Sequence, residues 1–198
     1  SIADNNDFDL GTGDYTVEYW VKLTGTNGQS LWTIGDPDGG NYMDLYTDGS
    51  QNTYVGWDGG AKILSGDGGL LKDQWHHMAV VRNSGTVTMY IDGISQGTAS
   101  QSSYSVGNGS DGFLFIGAGA WSGNPTTHCD ALFSNFRIVK GTAVYTSSFK
   151  PPTKPLTNIT NTKLLCCNDS SVTGSTVTPT TITANNSPTA SSDSPFDD

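Results

Sequence analysis

From Tyr15 to Leu23 the residues alternate with a period of two: Tyr15, Val17, Tyr19, Val21 and Leu23 against Thr16, Glu18, Trp20 and Lys22. That pattern predicts a half-buried β-strand, one face on a core and one toward water. Shorter runs with the same character are Ser30–Ile34, Tyr42–Tyr46, Thr53–Trp57 and Lys62–Leu64, each bracketed by Gly, Asp or Asn. A second strong block predicts a three-stranded antiparallel meander. Trp75–Arg82 is a strand, Asn83-Ser84-Gly85 a turn, Thr86–Ile91 the return, Asp92-Gly93 a tight turn, and Ile94–Thr98 the third strand. Asp-Gly between apolar runs is a strong hairpin signal. Phe113–Gly117, Phe133–Val139 and Lys163–Cys167 are further strands, and Pro151-Pro152 bars pairing in the irregular stretch between the last two. No segment carries sustained helical periodicity with caps at both ends. Many short strands separated by turns imply an all-β, two-sheet antiparallel sandwich.

Beyond Asn168 the composition shifts to Ser, Thr, Asn and Pro. The chain therefore divides into a domain over 1–167 and an extension over 168–198, with one added strand at 176–183 and a linker-like last dozen residues.

Of the 198 residues, 25 are glycine, in keeping with many turns. The formal charge is -10, and Glu18 is the only glutamate, so the acids are turn-favouring aspartates such as those of Asp36-Pro37-Asp38 and Asp67-Gly68. So few basic residues argue against nucleic acid as a partner. No apolar run reaches the ~20 residues of a membrane-spanning helix, so membrane insertion is not expected. The cysteines, Cys129 and the adjacent pair Cys166-Cys167, are odd in number and provide no disulfide framework. Strand neighbours point to opposite faces, so Cys166 and Cys167 are expected in different environments, one of them in the core. Trp20, Trp32 and Trp75 are likewise read as core.

The block WHHMAVVRNSGTVTMYIDG, with its Trp-His opening, closing Arg and Tyr-Ile-Asp-Gly hairpin, resembles the signature of laminin-G-like, concanavalin A-like jelly rolls. NNDFDLGTGDYTVEYWVKL resembles the early strand of that family, and FSNFRIVKGTAVYTSSFKPPTKPL resembles versions found in tailed phages of marine bacteria. The resemblance spans roughly Asp4 to Cys167. It implies a jelly-roll fold and a strand ahead of Ser1, whose slot would be filled by an upstream segment, by the chain's own 176–183 stretch, or by another subunit. It also implies a non-catalytic virion module, a tail fibre or capsid decoration, that recognises a host-surface glycan or serves assembly. Its setting would be the virion surface, its partners a cell-surface glycan, other virion subunits or further domains of a longer chain, and its state oligomeric. A bacterial cell-surface adhesin module and a ligand-free spacer are the alternatives. Some relatives use a carboxylate ahead of the strand matching Phe136-Arg137-Ile138 for a structural calcium; here Ser134 and Asn135 stand there.

Glycosidases on this fold carry a pair of carboxylates, and retaining hydrolysis places them about 5–5.5 Å apart. Glu18 alone supplies no such pair, and Asp7-Phe8-Asp9 and Asp36-Pro37-Asp38 are loop motifs, so no enzyme activity is expected. His76 and His77 are read as strand packing. For glycan binding, an aromatic ring stacks on the apolar face of a sugar while amides or carboxylates take its hydroxyls. Trp57 with Asp58, and Trp121 with Asn124, have that character at loop tips. No cofactor is required; the candidate ion is calcium on Asp4, Asp7 and Asp130.

Overall fold

The computed structural model describes residues 1–35, 40–65, 69–107, 113–121 and 124–196, with 121, 124 and 125 described by their backbone alone. The strands are β1 (Tyr15–Leu23), β2 (Gln29–Ile34), β3 (Met43–Thr47), β4 (Thr53–Trp57), β5 (Gly60–Leu64), β6 (Trp75–Asn83) and β7 (Thr86–Ile91). They continue as β8 (Ile94–Ser100), β9 (Leu114–Ile116), β10 (Gly119–Trp121), β11 (Asn124–Thr126), β12 (Ala131–Lys140), β13 (Thr162–Cys166) and β14 (Ser175–Val177). A seven-stranded sheet, β14-β13-β12-β1-β6-β7-β8, faces a five-stranded sheet, β5-β4-β3-β2-β9, and β10-β11 form a separate hairpin. All these strand pairings are antiparallel, and no helix occurs among the described residues. The all-β sandwich is the expected one, and Trp75–Thr98 is the expected meander.

The core between the sheets takes alternate residues from both. Tyr15, Val17, Tyr19, Val21 and Leu23 of β1 are all buried against Leu31, Trp32, Ile34, Met43, Leu45 and Val55. The Tyr15 hydroxyl, inside that core, donates to Gln101 Oε1 at 2.9 Å. The other face of β1 departs from the half-exposed pattern its polar residues suggest. Thr16 and Glu18 are fully buried. The cause is a second layer: the irregular segment after β12 folds back over the outside of the seven-stranded sheet. Ala143, Tyr145 and Phe149 pack on Ala79, Val81 and Tyr90 there. Thr16 Oγ1 donates to the Thr142 carbonyl at 3.0 Å and accepts from the Val144 N–H at 2.9 Å. Phe149 docks on the Asp92-Gly93 turn, its N–H donating to the Gly93 carbonyl at 3.0 Å. Gly93 has φ 75°, and the Phe149 carbonyl occupies the space a Cβ would need. The turn is thus glycine both for its left-handed backbone and for this close approach.

The histidines hold structure, as read. His76 Nε2 accepts from the Leu71 N–H at 3.2 Å, so its Nδ1 carries the proton toward Asp92 Oδ2, 2.7 Å away. His77 is fully buried, ringed by Trp20, Tyr145 and Phe149.

Trp32 is core, but Trp20 and Trp75 are not. Both lie half-buried on the outer face of the seven-stranded sheet, where the end of the chain meets them. Phe196 sits edge-on to Trp20, and Asp193 accepts from Trp75 Nε1 at 2.8 Å and pairs with Lys22 at 2.6 Å. The C-terminal stretch reaches this point by sealing two edges. β14 pairs with β13, Leu165 opposite Val177, and Ile182 bridges Ile2, which bridges Leu114 of β9 on its other side. The strand read over 176–183 is therefore a three-residue strand and one isolated bridge on opposite sheets.

The adjacent cysteines depart from expectation too. Cys166 is core, but its Sγ lies 3.7 Å from that of Cys167. β13 ends at Cys166, and Cys167 takes φ 56°, so the alternation of faces stops one residue earlier than the sequence pattern suggests.

Candidate functional site

The outer face of the five-stranded sheet gathers the groups a ligand would meet. β3 turns Met43 and Leu45 to the core, which sends Asp44 and Tyr46 outward. Tyr42 precedes them with the same parity. Register then sets their neighbours: Tyr46 is opposite Tyr54 of β4, and Asp44 lies between Thr33 of β2 and Gly56 of β4. The rings of Tyr46 and Tyr54 are stacked, centroids 5.0 Å apart and planes 8° apart, leaving one face of each turned away from the pair. Tyr54 is braced by its hydroxyl, which donates to Asp48 Oδ2 at 2.8 Å. Asp48 in turn caps its own turn, accepting from the N–H groups of Ser50 at 2.8 Å and Asn52 at 3.0 Å.

Asp44 is the unusual member. Its Oδ1 lies over Gly56 so closely that a Cβ there would come within 2.5 Å of it. A glycine inside a strand weakens it unless something needs the space; here the carboxylate does. That oxygen is buried, and burial pushes the carboxyl up to about 6, against the opposing pull of the Asp44 and Gly56 backbone N–H groups. Burial and then the Asp44 charge also raise the Tyr42 and Tyr46 hydroxyls, so the three side chains form one electrostatic unit.

The sequence-derived site residues fall as follows. Trp57 is 3% exposed and packs in the main core, so its ring offers no stacking face. It shares the inward parity of Val55, and the Asp-Gly-Gly that follows is only the β4–β5 turn. Asp58 is exposed in that turn with φ 49°, close enough to Tyr42 for its charge to act on the phenol. Trp121 and Asn124 pair at the tip of the β10–β11 hairpin rather than in a loop, and their side chains lie outside the described residues. The hairpin base lies against β2, with Gly119 beside Ser30, the register neighbour of Tyr46. The hairpin therefore stands next to the tyrosine face. Asp36 and Asp38 lie outside the described residues, as does Asp67.

Asp4, Asp7 and Asp130 do not come together as a calcium site. No group of three or more His, Cys, Asp or Glu side chains capable of holding a metal occurs among the described residues. Asp7 pairs with Lys163 at 2.9 Å. Asp130 works through its backbone, accepting from Thr24 N–H at 2.8 Å and donating to Gln29 Oε1 at 2.7 Å. Asn135 is buried and accepts from the Leu156 N–H at 2.7 Å.

Tyr46, Tyr54 and Asp44 were not singled out from sequence. The signal was present in Tyr42, Asp44 and Tyr46 recurring at alternate positions, opposite Tyr54 and Gly56, but it has meaning only once the register is known.

Trp57→Ala therefore tests packing rather than binding. Emptying a buried tryptophan costs roughly 3–5 kcal/mol, and a chain of this size loses about 2–4 °C in Tm per kcal/mol. Thermal unfolding should show a loss on the order of 10 °C; an unchanged Tm would return Trp57 to the surface.

Compared with solved structures, the fold is similar to that of a Bacteroides ovatus protein assigned to carbohydrate binding, at 16% identity and TM-score 0.55 over 68% of this chain. It is also similar to the CBM40 module of Ruminococcus gnavus IT-sialidase bound to α2,3-sialyllactose, at 12% identity and TM-score 0.51, covering 62% of this chain and 75% of that one. A heptameric SAP-like pentraxin of Limulus polyphemus matches at 17% identity and TM-score 0.50 over 67% of this chain. The chain spans 39% of the length of the Bacteroides protein and 65% of the pentraxin. No curated protein sequence matches it. The family model for the concanavalin A-like lectin/glucanases superfamily, in its Laminin_G_3 form, matches residues 1–144. With the two antiparallel sheets in place, the chain belongs to the concanavalin A-like lectin/glucanases superfamily.

Proposed function

We propose that this domain is a non-catalytic glycan-binding module, and that its ligand lies on the Tyr46–Tyr54 face. The observation that carries the reading is a stacked, half-exposed tyrosine pair beside a carboxylate whose pKa is raised by burial. A pyranose ring lays its C–H face on an aromatic ring, and its hydroxyls seek fixed acceptors beside it. Asp58, exposed in the β4–β5 turn, provides such an acceptor beside the partly exposed Asp44, and the net charge of -10 together with these carboxylates favours a neutral, hydroxyl-rich sugar over an anionic one. The absence of catalysis is supported by the origin of the Asp44 shift. Burial causes it, and no second carboxylate among the described residues contributes to it. A retaining glycosidase needs such a partner about 5–5.5 Å away.

The setting we propose is the virion surface, in a tail fibre or capsid decoration that holds a host-surface glycan. The likeness of the Phe133–Leu156 segment to marine phage sequences supports it, and the part of that segment after β12 clads the outside of the seven-stranded sheet. The Tyr46–Tyr54 pair lies on the other sheet, away from this layer.

The test is a glycan array with the wild type and Tyr54→Ala. Tyr54 is half-exposed, so the variant should keep its Tm within a degree or two. Binding should fall by about tenfold or more, which is ~1.4 kcal/mol. Equal binding by the two proteins, or release of reducing ends from any arrayed glycan, would overturn the proposal.

A further inference from the structure

We propose that Cys166 and Cys167 form a reversible vicinal disulfide, a redox modification site separate from the glycan face. Three observations converge on it. The two sulfurs are already 3.7 Å apart, because the left-handed backbone of Cys167 swings its side chain back beside that of its neighbour. The carbonyl of Cys167 is held in that position by the Asn135 N–H at 2.8 Å. Both residues line a cavity of about 710 Å³ between the body of the sandwich and the C-terminal stretch, so a small oxidant has a way in.

The two thiols are not equivalent. Cys167 is partly exposed, whereas Cys166 is 1% exposed, so Cys167 meets the reagent first. A hydrogen bond from the Cys166 thiol lowers the Cys167 pKa and favours the thiolate there. The third thiol is a built-in contrast. Burial, with Asp130 beside it, pushes Cys129 up to about 12, and a thiol held protonated is a poor nucleophile.

With a low-molecular-weight disulfide such as oxidised glutathione, two exchanges complete the reaction. The Cys167 thiolate attacks one sulfur of the oxidant, forming a mixed disulfide and expelling one glutathione thiolate. Cys166 then gives up its proton and attacks the Cys167 sulfur, expelling the second. Two protein thiols are oxidised, one glutathione disulfide is reduced to two thiols, and the two protons pass to the departing thiolates. Closing the bond brings the sulfurs from 3.7 Å to about 2.05 Å. Adjacent Cα atoms are only about 3.8 Å apart, shorter than the usual span across a disulfide. The ring is therefore strained, and strained disulfides are the easily reduced ones. The site should thus switch within a mild redox range rather than serve as a permanent staple.

Trypsin separates the players, because cleavage after Arg82 and Arg137 isolates Cys129 and cleavage after Lys163 leaves Cys166 and Cys167 together in 164–198. The folded protein is equilibrated with oxidised and reduced glutathione at a series of ratios, acid-quenched, alkylated in denaturant and digested. The expected result is a 164–198 peptide that loses two hydrogens and takes no label in oxidising buffer. It should regain both labels in mildly reducing buffer, while the Cys129 peptide is labelled throughout. Cys166→Ser should instead trap a glutathione adduct on Cys167. Full labelling of 164–198 at every ratio, a stable glutathione adduct in the wild type, or dimers linked through these cysteines would each overturn the proposal. Should Cys166→Ser fail to fold, the wild-type titration decides alone.

Discussion

Replacing Asp44 with Asn will make the protein more stable at pH 7 and weaken the proposed glycan binding. Burial holds the Asp44 carboxyl at about 6, above its usual value. Between an unfolded-state pKa of about 3.9 and the folded value, the folded chain keeps a proton that the unfolded chain has lost. Stability falls as pH rises through that window and stays low above it. A displacement of this size corresponds to on the order of 1–3 kcal/mol at neutral pH, or a few degrees of Tm. The amide carries no charge to desolvate, so Asp44→Asn should recover most of this at pH 7 and little at pH 4. Denaturant unfolding at the two pH values measures it. A carboxylate kept at a cost in stability is the mark of a group retained for what it does, so the same variant should bind glycan at least about tenfold more weakly. A variant that is less stable at pH 7, or binds as well as wild type, would show that Asp44 is structural.

Arg137→Met will cost roughly 3–5 kcal/mol, the penalty for leaving a buried charge alone. Glu18, wholly buried, receives Arg137 Nε at 3.0 Å and Nη2 at 2.6 Å on Oε1, and the Tyr145 hydroxyl at 2.8 Å on Oε2. His77 Nε2 stands 3.3 Å from Oε2. Burial alone would raise the Glu18 pKa; His77 and Arg137 together hold it below the usual range. The pairing therefore stabilises the fold at pH above the unfolded value of about 4.3, and that stabilisation is lost as pH falls through the lower folded value. The gap between wild type and Arg137→Met should accordingly be wide at pH 7 and narrow in acid. Adding Glu18→Gln to Arg137→Met should restore part of the loss, because no unpaired charge is then buried. Equal Tm values for wild type and Arg137→Met at pH 7 would contradict this account.

The same cluster accounts for the one glutamate of the chain, which the sequence already left without a carboxylate partner. Its two oxygens are fully engaged under the Tyr145–Phe149 layer, whose rings stack at 3.6 Å and close off the outer face. The Glu18 carboxylate thus has no opening to solvent.

Alternation over Tyr15–Leu23, the Asp-Gly turn after Ile91 and the Trp75–Gly93 block were enough to read the sandwich and its meander, because strand parity and hairpin turns are local properties. The β10–β11 hairpin was not legible, since its three-residue strands and Pro125 carry no periodic signal.

What the sequence determined by itself was which residues of each strand share a face; what lies over that face was decided only by the tertiary structure. Thr16 and Glu18 share an outward parity with Trp20, yet the segment after β12 buries the first two and the chain's C-terminal stretch only half covers the third. Trp57 and Tyr54 sit three residues apart with opposite parity, so one ring entered the core and the other was left beside Tyr46. Register, a long-range property set by how whole strands pack, brought Gly56 under Asp44 and so assembled the proposed binding face from residues with no motif in common.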